Sequence, residues 1–85
     1  MKRLKILFSH HAQYQLKERR LSKNQITSAF DQPDRLTLQT DNRYQLLKLI
    51  KLSGKTYLLV IIYEQEFSEI KIVTAFITSK IKKYL

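Results

Sequence analysis

The run Leu58-Leu59-Val60-Ile61-Ile62 is apolar at every position. Successive side chains of a strand point to opposite sides of its sheet, so a strand of this composition has to be covered on both faces. It predicts a central strand. The wider apolar stretch, Tyr57 to Tyr63, is far below the roughly 20 residues that a membrane-spanning helix requires.

The hydrophobic period changes once along the chain, at Asp31-Gln32-Pro33-Asp34. Before it, Leu4 to Phe8 reads as a short strand, and Ser9 is a good N-cap for a helix from His10 to Arg20, a stretch without Gly, Pro or β-branched residues. Ala12 and Leu16 share one face of that helix, leaving Gln13, Lys17 and Arg20 in water. Ser22 and Gln25 form a capping-box signature, and Ile26, Ala29 and Phe30 give the apolar stripe of a second helix. Pro33 ends it by steering Gln32 away from helical torsions. The two helices make a hairpin.

After Pro33 the period is two. Arg35 to Thr40 alternates and predicts a half-exposed strand with Leu36 and Leu38 on one side. Asp41-Asn42 predicts a two-residue turn with positive φ, and Arg43 to Leu52 a longer strand ending at Ser53-Gly54-Lys55. Glu64 to Glu69 reads as an acidic turn around Phe67, followed by a strand with Ile70, Ile72, Thr74 and Phe76 on one side. Thr78 to Leu85 fits a short docked helix or turn. The order β-α-α-β-β-β-β predicts an α+β fold, with a helical hairpin packed on a curved, mainly antiparallel sheet.

Eighty-five residues leave room for a single domain, 1–85. With no cysteine, disulfide scaffolds and thiolate metal sites are excluded, and a reducing, cytoplasmic setting is expected. Met1 to Lys5 is basic like the start of a secretory signal, but only Ile6 to Phe8 follow before polar residues resume, so no signal sequence is expected.

The formal net charge is +9, and it is concentrated at the two ends. Residues 1 to 23 hold seven Lys/Arg against one Glu, and residues 71 to 85 hold four against none, whereas the middle is near neutral. If folding brings the ends together, they form one positive face that attracts phosphates and releases counterions. The alternative is a charge that serves solubility alone.

His10-His11 is the place to look for an acid or base, since histidine titrates near neutrality. On a helix, His11, Gln15 and Arg19 lie along one side, lining an imidazole, an amide and a guanidinium over roughly 12 Å. A capping or surface histidine is the competing reading. No His pair stands at i, i+4 and the carboxylates are scattered, so neither a metal nor another cofactor is expected. At the other end, Lys80, Lys82, Lys83 and Tyr84 join cations to a phenol. Cleavage of RNA by its own 2′-hydroxyl needs a base, a cation for the phosphorane and an acid for the leaving oxygen, all posts these residue types can fill. Tyr84 can instead stack on a base, or act with Leu85 as a latch that pins the tail. Arg43 and Arg35 are exposed by alternation, as solvated cations are.

Ser9-His10-His11-Ala12, Glu18-Arg19-Arg20-Leu21-Ser22, Ile26, Pro33-Asp34, Ile72-Val73-Thr74 and Thr78-Ser79-Lys80-Ile81-Lys82-Lys83-Tyr84 together resemble small proteins of the RelE/ParE superfamily of toxin components. The resemblance spans nearly the whole chain. It implies a RelE-like fold and a bacterial toxin held inactive by a cognate antitoxin protein. Catalytic members cleave messenger RNA, often on the ribosome, whereas ParE-like members act on DNA gyrase. Carried over, it marks His11, Arg19, Lys83 and Tyr84 as candidate catalytic residues. Lys17, Arg20, Arg43, Lys80 and Lys82 are the candidate RNA contacts. Two positions depart from the pattern: Gln15 stands where an arginine is common, and Arg20 where a glycine is.

The leading expectation is therefore the toxin of a type II toxin–antitoxin pair, a metal-independent endoribonuclease (an mRNA interferase). A basic nucleic-acid-binding module without catalysis, or a gyrase inhibitor, would carry the same charge. The expected partners are the antitoxin and RNA, including ribosome-bound mRNA, and no membrane.

Overall fold

A computed structural model describes residues 5–85. Leu4, expected to open the first strand, and the cations Lys2 and Arg3 lie outside the described residues. The elements run β1 (Lys5–Phe8), α1 (His10–Glu18), α2 (Lys23–Asp31), β2 (Arg35–Thr40), β3 (Arg43–Leu52), β4 (Lys55–Glu66), β5 (Glu69–Thr78) and α3 (Ile81–Tyr84). The class is α+β. Five strands form one mixed sheet in the order β1-β5-β4-β3-β2, with β1 parallel to β5 and every other pair antiparallel.

The all-apolar run lies in β4, the middle strand, and its two faces enter two different cores. Leu59, Ile61 and Tyr63 pack under the helical hairpin with Ala12, Leu16, Leu21, Ile26 and Ala29. Leu58 and Val60 point the other way and are covered with Leu47 by Ile62, Phe76, Ile81 and Tyr84. The C-terminal turn thus covers the face opposite α1 and α2. Completely burying a Leu or Ile side chain contributes about 1.5–3 kcal/mol, so the second cluster is a substantial anchor for a four-residue helix with no side-chain cap.

Local signals hold the hairpin. Ser9 Oγ accepts the Ala12 amide at 3.0 Å, and both halves of the Ser22/Gln25 capping box are formed. Helix α1 closes on a Schellman motif: the Leu21 amide donates to Leu16 O at 2.8 Å and the Arg20 amide to Lys17 O at 3.3 Å. Arg20 occupies the left-handed position of that motif with φ 56°, a conformation that favours glycine.

Four expectations need correction. A register shift opposite Ile62 and Tyr63 leaves Val73 without a partner on β4. The bulge changes which side chains face the helices: Ile70 and Ile72 face them together with Ala75, whereas Phe76 lies on the other side and Thr74 sits at the strand edge with its hydroxyl against α1. Strand β2 is exposed along its whole length, with Leu36 and Leu38 more than half accessible, because it is the outermost strand and the core ends before it. Asp41-Asn42 is a two-residue turn without positive φ, and a bulge at Gln39 supplies the local twist instead. The acidic turn shrinks to Phe67-Ser68, since β4 continues to Glu66 and β5 begins at Glu69. Ser53 and Gly54, with φ 51° and 80°, do form the tight turn between β3 and β4.

Candidate functional site

Strand β5 is paired with β1 only from Glu69 to Ile72. Beyond Val73 its outer edge has no strand partner among the described residues, and α1 packs beside it. The polar side of α1 meets that edge. Arg19 Nη1 donates to Ala75 O at 2.7 Å and, more weakly, to Thr74 Oγ1 at 3.4 Å. The Thr74 hydroxyl donates to Gln15 Oε1, and Gln15 Nε2 lies 2.9 Å from His11 Nε2.

The helical spacing of His11, Gln15 and Arg19 is what aligns them, one turn apart each, while Ala12 and Leu16 between them are buried. The bulge at Val73 is what places Thr74 at the rim. Without that extra residue Thr74 would share a face with Ile72 and sit inside the core. Thr74 is thus the member of the network that spacing alone did not single out. Arg19 is doubly employed, because the guanidinium group that anchors α1 retains further N–H donors.

Tyr84 lies on the other side of the sheet. Its ring meets Phe76 edge-on with centroids 6.2 Å apart, and Lys83 Nζ stands 5.7 Å from the same ring. Phe76 is two residues along β5 from Thr74, a step of roughly 7 Å. His11 and Tyr84 are therefore not brought to one patch, as pooling of the two ends required: α1 and the C-terminal turn approach β5 from opposite faces of the sheet, and no hydrogen bond joins the two residues among those described. The Lys80 amide donates to Thr78 Oγ1 at 3.1 Å, fixing the start of the tail, and Lys80, Lys82 and Lys83 are exposed.

The remaining cations differ in how free they are. Arg43 pairs with Glu64 at 3.0 Å, the single ion pair among the described residues, so its charge is already partly matched. Lys17 and Arg20 are exposed at the end of α1. Grooves of 290 and 270 Å³ lie between α2 and β3, near Ser28 and Lys48, and beside Phe67 and Lys71; neither is lined by His11, Arg19, Lys83 or Tyr84. No helix among the described residues is long and apolar enough to cross a membrane.

Comparison of the chain with protein-family models, with curated proteins and with solved structures returned no match.

Proposed function

We propose that this chain is the toxin of a type II toxin–antitoxin pair, with a RelE-like fold, and that it cleaves RNA in the cytoplasm by activating the 2′-hydroxyl against the adjacent phosphate. The observation that carries the reading is the network of His11, Gln15, Thr74 and Arg19 at the free edge of β5, a strand that continues into a tail of three exposed lysines. In this scheme either His11 or Tyr84, not the two together, exchanges the proton, because Tyr84 packs on Phe76 across the sheet from α1. The cation that stabilises the phosphorane is Arg19, through its remaining N–H groups, at the His11 side, or Lys83 at the Tyr84 side, with no metal called for. Lys17, Arg20, Lys80 and Lys82 hold the flanking phosphates, and Arg43 contributes less because Glu64 partly neutralises it. An acidic antitoxin would neutralise this basic surface.

A second reading has its own support. Tyr84 packs on Phe76 across the sheet from α1, as a latch would, and a noncatalytic RNA-binding module would need no more. Expression of the chain alone, followed by incubation of a labelled transcript with and without ribosomes, separates the two. Growth arrest and cleavage, lost in His11→Ala, support the toxin. Intact RNA in both conditions, with salt-dependent binding that survives His11→Ala, supports the binding module.

A further inference from the structure

The hydrogen bonds from Arg19 to His11 have a direction, and we propose that this direction fixes which nitrogen of His11 carries its proton. Gln15 and Thr74 act as positioning residues that hold the resting His11 as the neutral Nδ1–H tautomer, so that the ring presents an N–H to a phosphate oxygen and takes a proton at Nε2 only after the Gln15 amide turns over. The inference deepens the ribonuclease reading and rests on it for its chemical consequence.

Arg19 can only donate. Its Nη1 therefore occupies the oxygen of Thr74, at 3.4 Å, as a donor, as well as that of Ala75 at 2.7 Å. The one hydroxyl proton of Thr74 is then directed at the remaining neighbour, Gln15 Oε1, 2.5 Å away. The amide oxygen of Gln15 is thereby assigned toward Thr74 by the network, since it is the group that can accept that proton. Its NH2 group consequently faces His11. An amide NH2 has no lone pair to offer, so the His11 Nε2 at 2.9 Å must accept. A neutral imidazole that accepts at Nε2 carries its proton on Nδ1.

Two consequences follow for the chemistry. The resting His11 has its lone pair engaged and its Nδ1–H as the free group of an exposed ring, which suits the nonbridging oxygen of a phosphodiester. To take a proton at Nε2, His11 needs the Gln15 amide to turn over, putting its oxygen on the imidazolium and its NH2 on Thr74, whose oxygen can accept from both Gln15 and Arg19. Gln15 thereby couples the protonation of His11 to the orientation of the Thr74 hydroxyl. A cation at position 15 could donate at both ends but could not accept from Thr74.

The test is a long-range proton–nitrogen NMR correlation on the ¹⁵N-labelled full chain at a pH where imidazoles are neutral, with His10 as the internal reference. Wild type is expected to show His11 as the Nδ1–H tautomer. Thr74→Val, which removes the directing hydroxyl, is expected to give a tautomer mixture like that of His10. Gln15→Glu, which replaces the donor with an acceptor, is expected to move the proton to Nε2. An Nε2–H His11 in wild type, or a His11 whose tautomer is unmoved in both folded variants, overturns the relay. Transcript cleavage is scored separately on wild type. Intact RNA with His11 in the Nδ1–H form removes the ribonuclease reading and supports the relay, whereas cleavage with His11 in the Nε2–H form removes the relay alone.

Discussion

Arg19 closes the first helix by donating across the free edge of β5 to the carbonyl of Ala75, 56 residues further along the chain and 2.7 Å away. A charge-assisted bond at a partly buried carbonyl both satisfies the strand edge and fixes where α1 lies. Arg19→Ala is expected to lower unfolding stability by about 1.5–3 kcal/mol, the range for hydrogen bonds to charged groups. Urea denaturation measures it; a change within experimental error would show that the contact does not anchor the helix.

Arg20 sits at φ 56° in the glycine position of the Schellman motif. Replacing it by glycine removes the steric cost of a side chain in the left-handed region, partly offset by the greater freedom of glycine in the unfolded chain. Arg20→Gly should raise stability by about 0.5–1 kcal/mol. If Arg20 also contacts a phosphate, the same variant should flatten the salt dependence of RNA binding by about one unit of slope. The two effects are read in separate experiments, melting and filter binding.

Tyr84→Phe keeps the ring that meets Phe76 edge-on and removes only the hydroxyl. Stability should stay within about 0.5 kcal/mol of wild type, as for changes that spare packing. Tyr84→Ala should cost more, by opening the cluster of Leu47, Leu58 and Val60 to water. Loss of RNA cleavage in the phenylalanine variant assigns the hydroxyl a role in the reaction; retained cleavage leaves Tyr84 a latch.

Leu36 and Leu38, 53% and 57% exposed, stand on an outer strand with an unpaired edge. Such an edge is a template for pairing with another chain. The net charge of +9 opposes self-association at low salt, and screening removes that protection. Light scattering should show wild type associating as salt is raised, while Leu36→Lys combined with Leu38→Lys stays monomeric at unchanged folding stability.

Tyr63 is buried between Phe30, edge-on at 4.9 Å, and Tyr44, stacked at 5.4 Å. Burial first, and the neighbouring Tyr44 phenol second, push its pKa above the usual phenol value near 10.0. A raised pKa in the folded state means that the fold binds the phenolic proton more tightly than the unfolded chain does. The resulting stability is present in full below the unfolded pKa and is lost as pH rises through the folded one. Denaturation of wild type should therefore become easier above about pH 10, and Tyr63→Phe should reduce that slope. Equal slopes in the two proteins would remove Tyr63 as the cause.

Much of the candidate site was legible in one dimension. The i, i+4, i+8 spacing of His11, Gln15 and Arg19 put three polar groups on one side of α1, and Ser9 marked where the helix would begin. Thr74 was not legible, because strict alternation from Ile70 and Ile72 assigned it to their face. A single unpaired residue, Val73, reversed that assignment, and a bulge of this kind leaves no signature in the hydrophobic pattern of its own strand. Gln15, which on its own looks like a lost cation, acquires a function only when Thr74 and Arg19 are placed beside it.

Local physics determined the parts: the caps at Ser9 and Ser22, the break at Pro33, the turn at Ser53-Gly54 and the centrality of an all-apolar β4 each depend on residues a few positions apart. Tertiary structure alone decided that β1 lies parallel to β5, that β2 is left bare, and that α3 covers the face opposite α1. Those choices depend on which distant surfaces exclude water together, a property of the assembled chain that no short window of residues contains. The line from His11 to Arg19 is written in the helix; its junction with the edge of β5 is made by folding.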